Sequence, residues 1–394
     1  MNKRSITDLD LKGRRVLMRV DFNVPIKNGT IGDDTRIRAS LPTITELLDR
    51  GATVILASHL GRPKGKPNPE FSLKPVAERL ASLLDRPVPL APDCVGEAVE
   101  AQARALKPGE LLLLENLRYH PEEEKNDDAF AQKLAGLADV YVNDAFAAAH
   151  RAHASIAAIT RHLQPAVAGL LMQRELEALG RILEAPARPL VAVLGGAKVS
   201  DKIALVEHLL ARVDALVIGG GMAFTFLRAL GHGVGKSLVE PDRIETARAA
   251  LETARRRGAQ VVLPTDAVVA GGLDSPSGRA VSLRDIPAAQ MGLDIGPLTV
   301  ERFAAVLKTA KTIVWNGPMG VFEKPAFATG TVAIARAVAE SSAFSVIGGG
   351  DTIAAVNQAG VADRIGYIST AGGAFLEFLE GRTLPGVEAL TEAR

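Results

Sequence analysis

The stretch "VIGGGDTIAAV" (346–356) ends an apolar run in three consecutive glycines, then sets an aspartate and a threonine before a small-residue helical pattern. It reads as a β-strand turning directly into an α-helix. Glycine at such a junction permits close approach to the main-chain N–H groups. A helix start adds unpaired donors and a partial positive charge, which suit phosphate. A second stretch, "ALVIGGGMAFTFL" (215–227), has the same shape. A third, "PLVAVLGGAKVSDKI" (189–203), adds Lys198 and Lys202 to its glycines. Any one of them is a common βα turn. Three together, one with two lysines, point to a nucleotide phosphate site. None fits G-x-G-x-x-G or G-x-x-x-x-G-K-[ST], so neither the dinucleotide fingerprint nor the Walker loop is present.

Working outward, short apolar runs alternate with helical patterns along the chain. Strand candidates include "RRVLMRVDFN", "ATVILASHLG", "ELLLLENLR", "DVYVNDAF", "QVVLPTDAV", "KTIVWNGP" and "IGYISTAGG". Most are continuously apolar, as strands covered on both faces are. With helices such as "SLKPVAERLASLLD" between them, the pattern is α/β and doubly wound. About ten strands is many for one sheet. The expectation is two parallel-sheet, Rossmann-like domains, 1–170 and 189–379, joined by a helical connector over 171–188. Glu122–Glu124 after Pro121 reads as a solvated first helical turn.

The 394 residues, 47% of them hydrophobic, suffice for two cores. A net charge of +1 gives no nucleic-acid coat. The single cysteine, Cys94, excludes an internal disulfide and reads as a buried apolar residue. The start "MNKRSITDLDLKG" has no signal-peptide core, and no run of about 18 apolar residues occurs. A cytoplasmic protein with small-molecule partners is expected, with neither a nucleic-acid nor a membrane partner.

In open α/β sheets ligands bind beyond the carboxyl ends of the strands. In the first half those ends deliver Asp21, Asn23, Ser58, His59, Arg62, Asn116, Arg118, Asn143 and Asp144, with Arg36 and Arg151 following. Arginine forks bind carboxylate and phosphate at two points, so this half reads as a site for a small, highly anionic substrate. The second half delivers the glycine junctions, Lys198, Asp201, Lys202, Asp266, Asn316, Asp351 and Thr352, a set suited to a nucleotide with a metal ion. Two complementary half-sites imply transfer between two bound ligands, with closure to exclude water. Asp21 and Asp144 also suit helix caps. "HRAH" (150–153) lacks neighbouring carboxylates for a metal site. Trp315, Phe224 and Phe226 read as core. No hydrolase triad or metalloprotease motif is present. Phosphoryl transfer to an already ionised oxygen needs none, because positioning and charge neutralisation carry it.

The motifs "RVDFNVP", "SHLGRP", "LLENLRYH", "YVNDAFAAAHRAHAS", "LGGAKVSDKI", "IGGGMAFTF", "WNGPMGVFE", "IGGGDT" and "STAGGAFLEFLEG" resemble, in order, those of the phosphoglycerate kinase family. The resemblance runs from about residue 3 to residue 390. It implies reversible phosphoryl transfer between 1,3-bisphosphoglycerate and MgADP, giving 3-phosphoglycerate and MgATP, in a monomeric glycolytic enzyme. By motif it assigns Asp21, Phe22, Asn23, Arg36, His59, Leu60, Gly61, Arg62, Arg118 and Arg151 to phosphoglycerate. It gives Arg36, Lys198, Lys202 and Gly350 the catalytic roles. It sets Gly196, Lys202, Gly220, Gly292, Glu323, Gly349, Gly350, Asp351 and Thr352 around the nucleotide, with Asp351 near Mg2+. The family also returns its tail, here 380–394 with "LPGVEAL", to the first domain. Ala147 and Ala371 stand where the family often has glycine. A nicotinamide-dependent oxidoreductase and a non-enzymatic anion-binding protein are the competing readings. The missing fingerprint argues against the first, and the lysine–glycine half against the second.

Overall fold

The computed structural model describes residues 2–393. The chain divides into two compact units, Met1–Glu177 with Thr383–Arg394 and Ala178–Arg382.

The first unit is built on five parallel strands. They are β1 (Arg15–Arg19), β4 (Thr53–Ala57), β5 (Leu111–Leu113), β6 (Val140–Asn143) and β7 (Ala166–Ala168), in the order β5-β4-β1-β6-β7. A short antiparallel ribbon, β2 (Ile26–Lys27) and β3 (Thr30–Ile31), stands apart. β4 and β6 are buried throughout, which is why their sequence is continuously apolar rather than alternating. The helix Thr35–Asp49 covers the sheet with one stripe, Ile37, Ser40, Ile44, Leu47 and Leu48, at the spacing of successive helical turns. Strand order reverses at β1, which pairs with β4 on one side and β6 on the other. Such a reversal opens a crevice at the strands' carboxyl ends.

The tail belongs to this unit. Gly386 N–H donates to Ala149 O at 2.8 Å, and Arg4 N–H donates to Thr391 O at 2.9 Å. The helix Leu170–Leu183 starts on Asp144, which accepts from Leu171 N at 2.9 Å and Met172 N at 3.1 Å. Asp144 therefore acts as a helix cap, and burial raises its carboxyl to about 6.

The second unit carries six parallel strands: β8 (Leu190–Leu194), β9 (Ala215–Ile218), β10 (Gln260–Val262), β14 (Thr312–Asn316), β15 (Phe344–Gly348) and β16 (Tyr367–Ser369), ordered β10-β9-β8-β14-β15-β16. Its reversal lies at β8, between β9 and β14. Beside it stands an antiparallel sheet of β11 (Asp266–Ala270), β12 (Arg279–Ser282) and β13 (Met291–Ile295), ordered β12-β11-β13. The two expected parallel sheets are present. The antiparallel sheet and the ribbon are additions, and "QVVLPTDAV" divides into β10 and β11. β13 carries Gly292 and Asp294 within five residues, so its sequence lacks a strand's apolar signature. Trp315, Phe226 and Cys94 are buried as expected. Ala371 requires no glycine, because the positive φ falls on Gly372, at +55°.

Candidate functional site

At the reversal of the first sheet the strand-end residues form one hydrogen-bonded chain. Arg36 Nη1 donates to Asp21 Oδ2 at 2.8 Å. Asp21 Oδ1 accepts from Asn23 N at 3.1 Å, and Asn23 Oδ1 accepts from Gly61 N at 2.9 Å. Gly61 O accepts from Arg118 Nη1 at 2.9 Å. Five expected site residues from three strand ends and one helix start are thus held together. Phe22 and Leu60 send their side chains into the core, so only their backbone borders the crevice. Arg151 Nε donates to His150 at 3.1 Å. Arg62 is exposed and, among the described residues, makes no hydrogen bond or ion pair.

Behind this chain lies a second set of groups. Arg19, 1% exposed, contacts His59 through Nη2 at 3.2 Å. His153 lies 4.0 Å from Glu123, which is fully buried rather than part of a solvated turn. Burial, and then the charges of Arg19 and Arg118, push His59 well below the usual imidazole range. Burial and then Arg118 lower His153 to about 3, and burial also lowers Arg118. Arg118 Nε is ion-paired with Glu124 at 3.2 Å, and that charge opposes the effect of Arg151 and Arg19 on it. Several cations around one crevice still favour an anion there. Arg19 lies within "RVDFNVP" and Ser155 ends "YVNDAFAAAHRAHAS", but neither carries an expected role from sequence; Glu123 reads as a solvated turn, and His153 stands out only within "HRAH". One signal is visible: Arg19 is a charge closing the apolar run "VLM" at the carboxyl end of β1, where ligands bind.

The second unit holds a cavity of about 420 Å3 at the carboxyl ends of its strands. Gly196, Gly220, Phe224, Gly292, Pro318, Met319, Glu323 and Asp351 line it. Its walls are backbone laced to backbone: Gly196 N donates to Pro318 O at 2.9 Å, Gly220 N to Met319 O at 3.0 Å, and Met222 N to Gly196 O at 3.0 Å. A Cβ on Gly220 would lie 2.6 Å from Gly196 N, and one on Gly292 2.1 Å from the Phe224 ring. These two glycines serve protein packing directly. Gly350 differs, because a Cβ there meets nothing within 4 Å and its φ is not positive. The positive φ, +97°, belongs to Gly349.

Lys202 donates to Gly195 O at 2.6 Å and Asn316 O at 3.0 Å. Burial lowers its amino group to about 8, against the opposing pull of Asp351 and Asp201. Lys198 is exposed and does not line the cavity. Thr352 is buried, and its hydroxyl accepts from Gly317 N at 2.7 Å, steadying the turn after β14. Asp351, in the first turn of the helix Gly350–Gln358, is exposed, and its carboxylate makes no hydrogen bond or ion pair among the described residues. Two further carboxylates line the cavity. Asp266 caps the helix Pro297–Thr309 through Thr299 N at 2.7 Å. Asp294 accepts from Gly330 N at 2.7 Å, and burial raises it to about 7. Asp294 escaped notice because its strand did.

A cation-lined crevice on one α/β sheet and a glycine-walled cavity on another define a two-unit nucleotide-dependent phosphotransferase. The comparisons narrow that class. A family model described as Phosphoglycerate kinase matches residues 6–382. The chain is 59% identical to the phosphoglycerate kinase of Moorella thermoacetica over 100% of both chains. It is 57% identical to that of Koribacter versatilis, over 99% of this chain and 100% of the other. The phosphoglycerate kinase structure from Coxiella burnetii aligns with a TM-score of 0.93 at 45% identity, covering 98% of each chain. The chain belongs to the phosphoglycerate kinase family and is an ATP-dependent kinase that moves a phosphoryl group reversibly between 1,3-bisphosphoglycerate and ADP. The oxidoreductase and binding-protein readings fall away with that finding. No helix among the described residues is long and apolar enough to cross a membrane.

Proposed function

We propose that the unit Met1–Glu177 binds phosphoglycerate through Asp21, Asn23, Arg36, His59, Arg62, Arg118 and Arg151, with backbone of Phe22, Leu60 and Gly61 at the rim. The unit Ala178–Arg382 binds the nucleotide in its glycine-walled cavity. Gly196, Gly220, Gly292 and Glu323 line the base and sugar end, while Lys202, Gly349, Gly350, Asp351 and Thr352 surround the phosphate end. The observation that carries this reading is the gathering of Arg36, Arg118, His59 and the buried Arg19 at the first sheet's reversal, the first two tied together through Asp21, Asn23 and Gly61. A ligand with a carboxylate and a phosphate answers it.

The terminal oxygen of ADP is already ionised at neutral pH and needs no protein base. It attacks the phosphorus of the acyl phosphate, the P–O bond to the acyl oxygen breaks, and the carboxylate of 3-phosphoglycerate leaves with the electron pair. Arg36 neutralises charge on the transferring group, and Lys202 and the Gly350 N–H do so from the nucleotide side. Lys198 reaches the phosphates only if its exposed side chain reorients. Mg2+ fits the free Asp351 carboxylate, a hard oxygen donor at the cavity wall. Bound there with the nucleotide phosphates, it would neutralise their charge. The enzyme is read as a monomer in the cytoplasm.

The test is ATP formation from ADP and 1,3-bisphosphoglycerate by purified protein, with and without Mg2+. Magnesium-dependent ATP formation supports the reading, and ATP formation unchanged in chelator contradicts the metal assignment.

A further inference from the structure

Glu123 is 0% exposed, and both of its carboxylate oxygens accept hydrogen bonds from Ser155, with His153 4.0 Å away. Oε1 accepts from the Ser155 hydroxyl at 2.6 Å, and Oε2 accepts from Ser155 N at 2.9 Å. The Ser155 oxygen in turn accepts from Arg19 Nε at 2.8 Å. Arg19 Nη2 stands 3.2 Å from His59 Nδ1. Every link has a fixed sense. A guanidinium has no acceptor, so Arg19 must donate and His59 Nδ1 must carry the lone pair. The imidazole proton then resides on Nε2. Val20 O accepts a hydrogen bond from Arg19 Nη1, which leaves the guanidinium little freedom to turn.

We infer that the buried chain Glu123–Ser155–Arg19 is a positioning relay that fixes His59 as its Nε2–H tautomer, preset to donate to the anionic substrate. This rests on the reading of the first unit's cations as the phosphoglycerate site. A neutral imidazole left to itself populates both tautomers, and only one presents a proton to an incoming oxygen. Glu123 supplies the charge that makes Ser155 a directed acceptor for Arg19, and Arg19 transmits that direction to the ring. None of the three need touch the ligand.

The experiment combines imidazole nitrogen NMR of His59 with calorimetric titration of 3-phosphoglycerate and of ADP. The wild-type protein is expected to show a single Nε2–H signature at neutral pH. Ser155→Ala and Glu123→Gln should each give mixed tautomers and weaken 3-phosphoglycerate binding about tenfold, the scale of a hydrogen bond to a charged group. ADP affinity should not change. Because both act through one chain, the double variant should bind no worse than the weaker single variant. A wild-type His59 carrying its proton on Nδ1 overturns the relay. So does Ser155→Ala with an unmixed Nε2–H signature, or a double variant whose losses add. Arg118→Ala separates the two levels: if it leaves 3-phosphoglycerate affinity intact, the site assignment itself fails and the relay with it. If it weakens binding while the relay variants do not, the relay alone fails.

Discussion

The crevice of the first unit and the cavity of the second meet anions by different means. The crevice uses side chains: Arg36, Arg118 and the buried Arg19 and His59, locked by Asp21, Asn23 and Glu123. The cavity uses backbone: glycine junctions at the ends of β8 and β9 and Gly292 of β13 line it, Asp351 borders it after β15, and Lys202 is tied to main-chain carbonyls. A side-chain site concentrates charge, and burial, followed by its own cations, holds His59 and His153 below the usual imidazole range. A backbone site carries little net charge and depends on how closely a phosphate can approach. The first should therefore fail by loss of charge, and the second by gain of bulk.

The largest expected effect is Arg36→Ala. Removing the group that neutralises charge on the transferring phosphoryl should lower kcat about 100-fold or more while ADP affinity changes little. Steady-state kinetics with direct ADP titration checks this, and a near-normal kcat would take Arg36 out of the mechanism.

Next is Arg118→Ala or Arg62→Ala, each expected to weaken 3-phosphoglycerate binding about tenfold. MgADP affinity should stay intact when measured alone. Equal losses for both ligands would erase the division of labour between the units.

A smaller effect is expected from Asp351→Ala, which leaves the helix start in place but removes the free carboxylate. MgADP binding should weaken by a few-fold, roughly the scale of one charge-assisted contact, and metal-free ADP binding by less. Equal weakening of the two would count against a metal at Asp351.

The smallest is a pH slope. Burial sets Lys202 at about 8 rather than 10.5. Between those values the unfolded chain holds the proton more firmly than the folded one, so this group makes stability rise with pH across that window. A bound phosphate favours the charged amine. Nucleotide affinity should then fall as pH rises through about 8, by no more than roughly tenfold per pH unit. Lys202→Met should flatten the slope, and an unchanged slope would separate Lys202 from the phosphates.

The two sites were also unequally legible. Residue type alone marks Arg36, Arg118 and His59, because charged groups at the ends of apolar strands need a reason to be there. Arg19 carries the same signal as the last residue of β1 but is buried behind the crevice, and Glu123 is masked by the half-buried Glu122 and the exposed Glu124 beside it. Which way a buried carboxylate turns depends on Ser155, 32 residues away, and local pattern holds no record of that. In the second unit the parallel strands were plain from their unbroken apolar runs. β13 was not, because its glycine accommodates Phe224 and its aspartate caps a neighbouring helix. Glycines can be read as places where side chains are excluded. What excludes them is a tertiary fact: protein at Gly220 and Gly292, and open space at Gly350.

That last difference gives the most direct test of the backbone-cradle account. Gly350→Ala adds one methyl group where nothing beyond its own helix and chain neighbours lies within 4 Å and no positive φ resists it, so the fold should be unharmed. Alanine in the first helical turn should if anything add stability. MgADP affinity of the variant, titrated calorimetrically in protein whose melting temperature is at or above the parent's, is the deciding measurement. The account expects affinity to fall about tenfold or more, because the methyl group stands where phosphate meets the main chain. A stable Gly350→Ala protein that binds MgADP as tightly as the parent would contradict it.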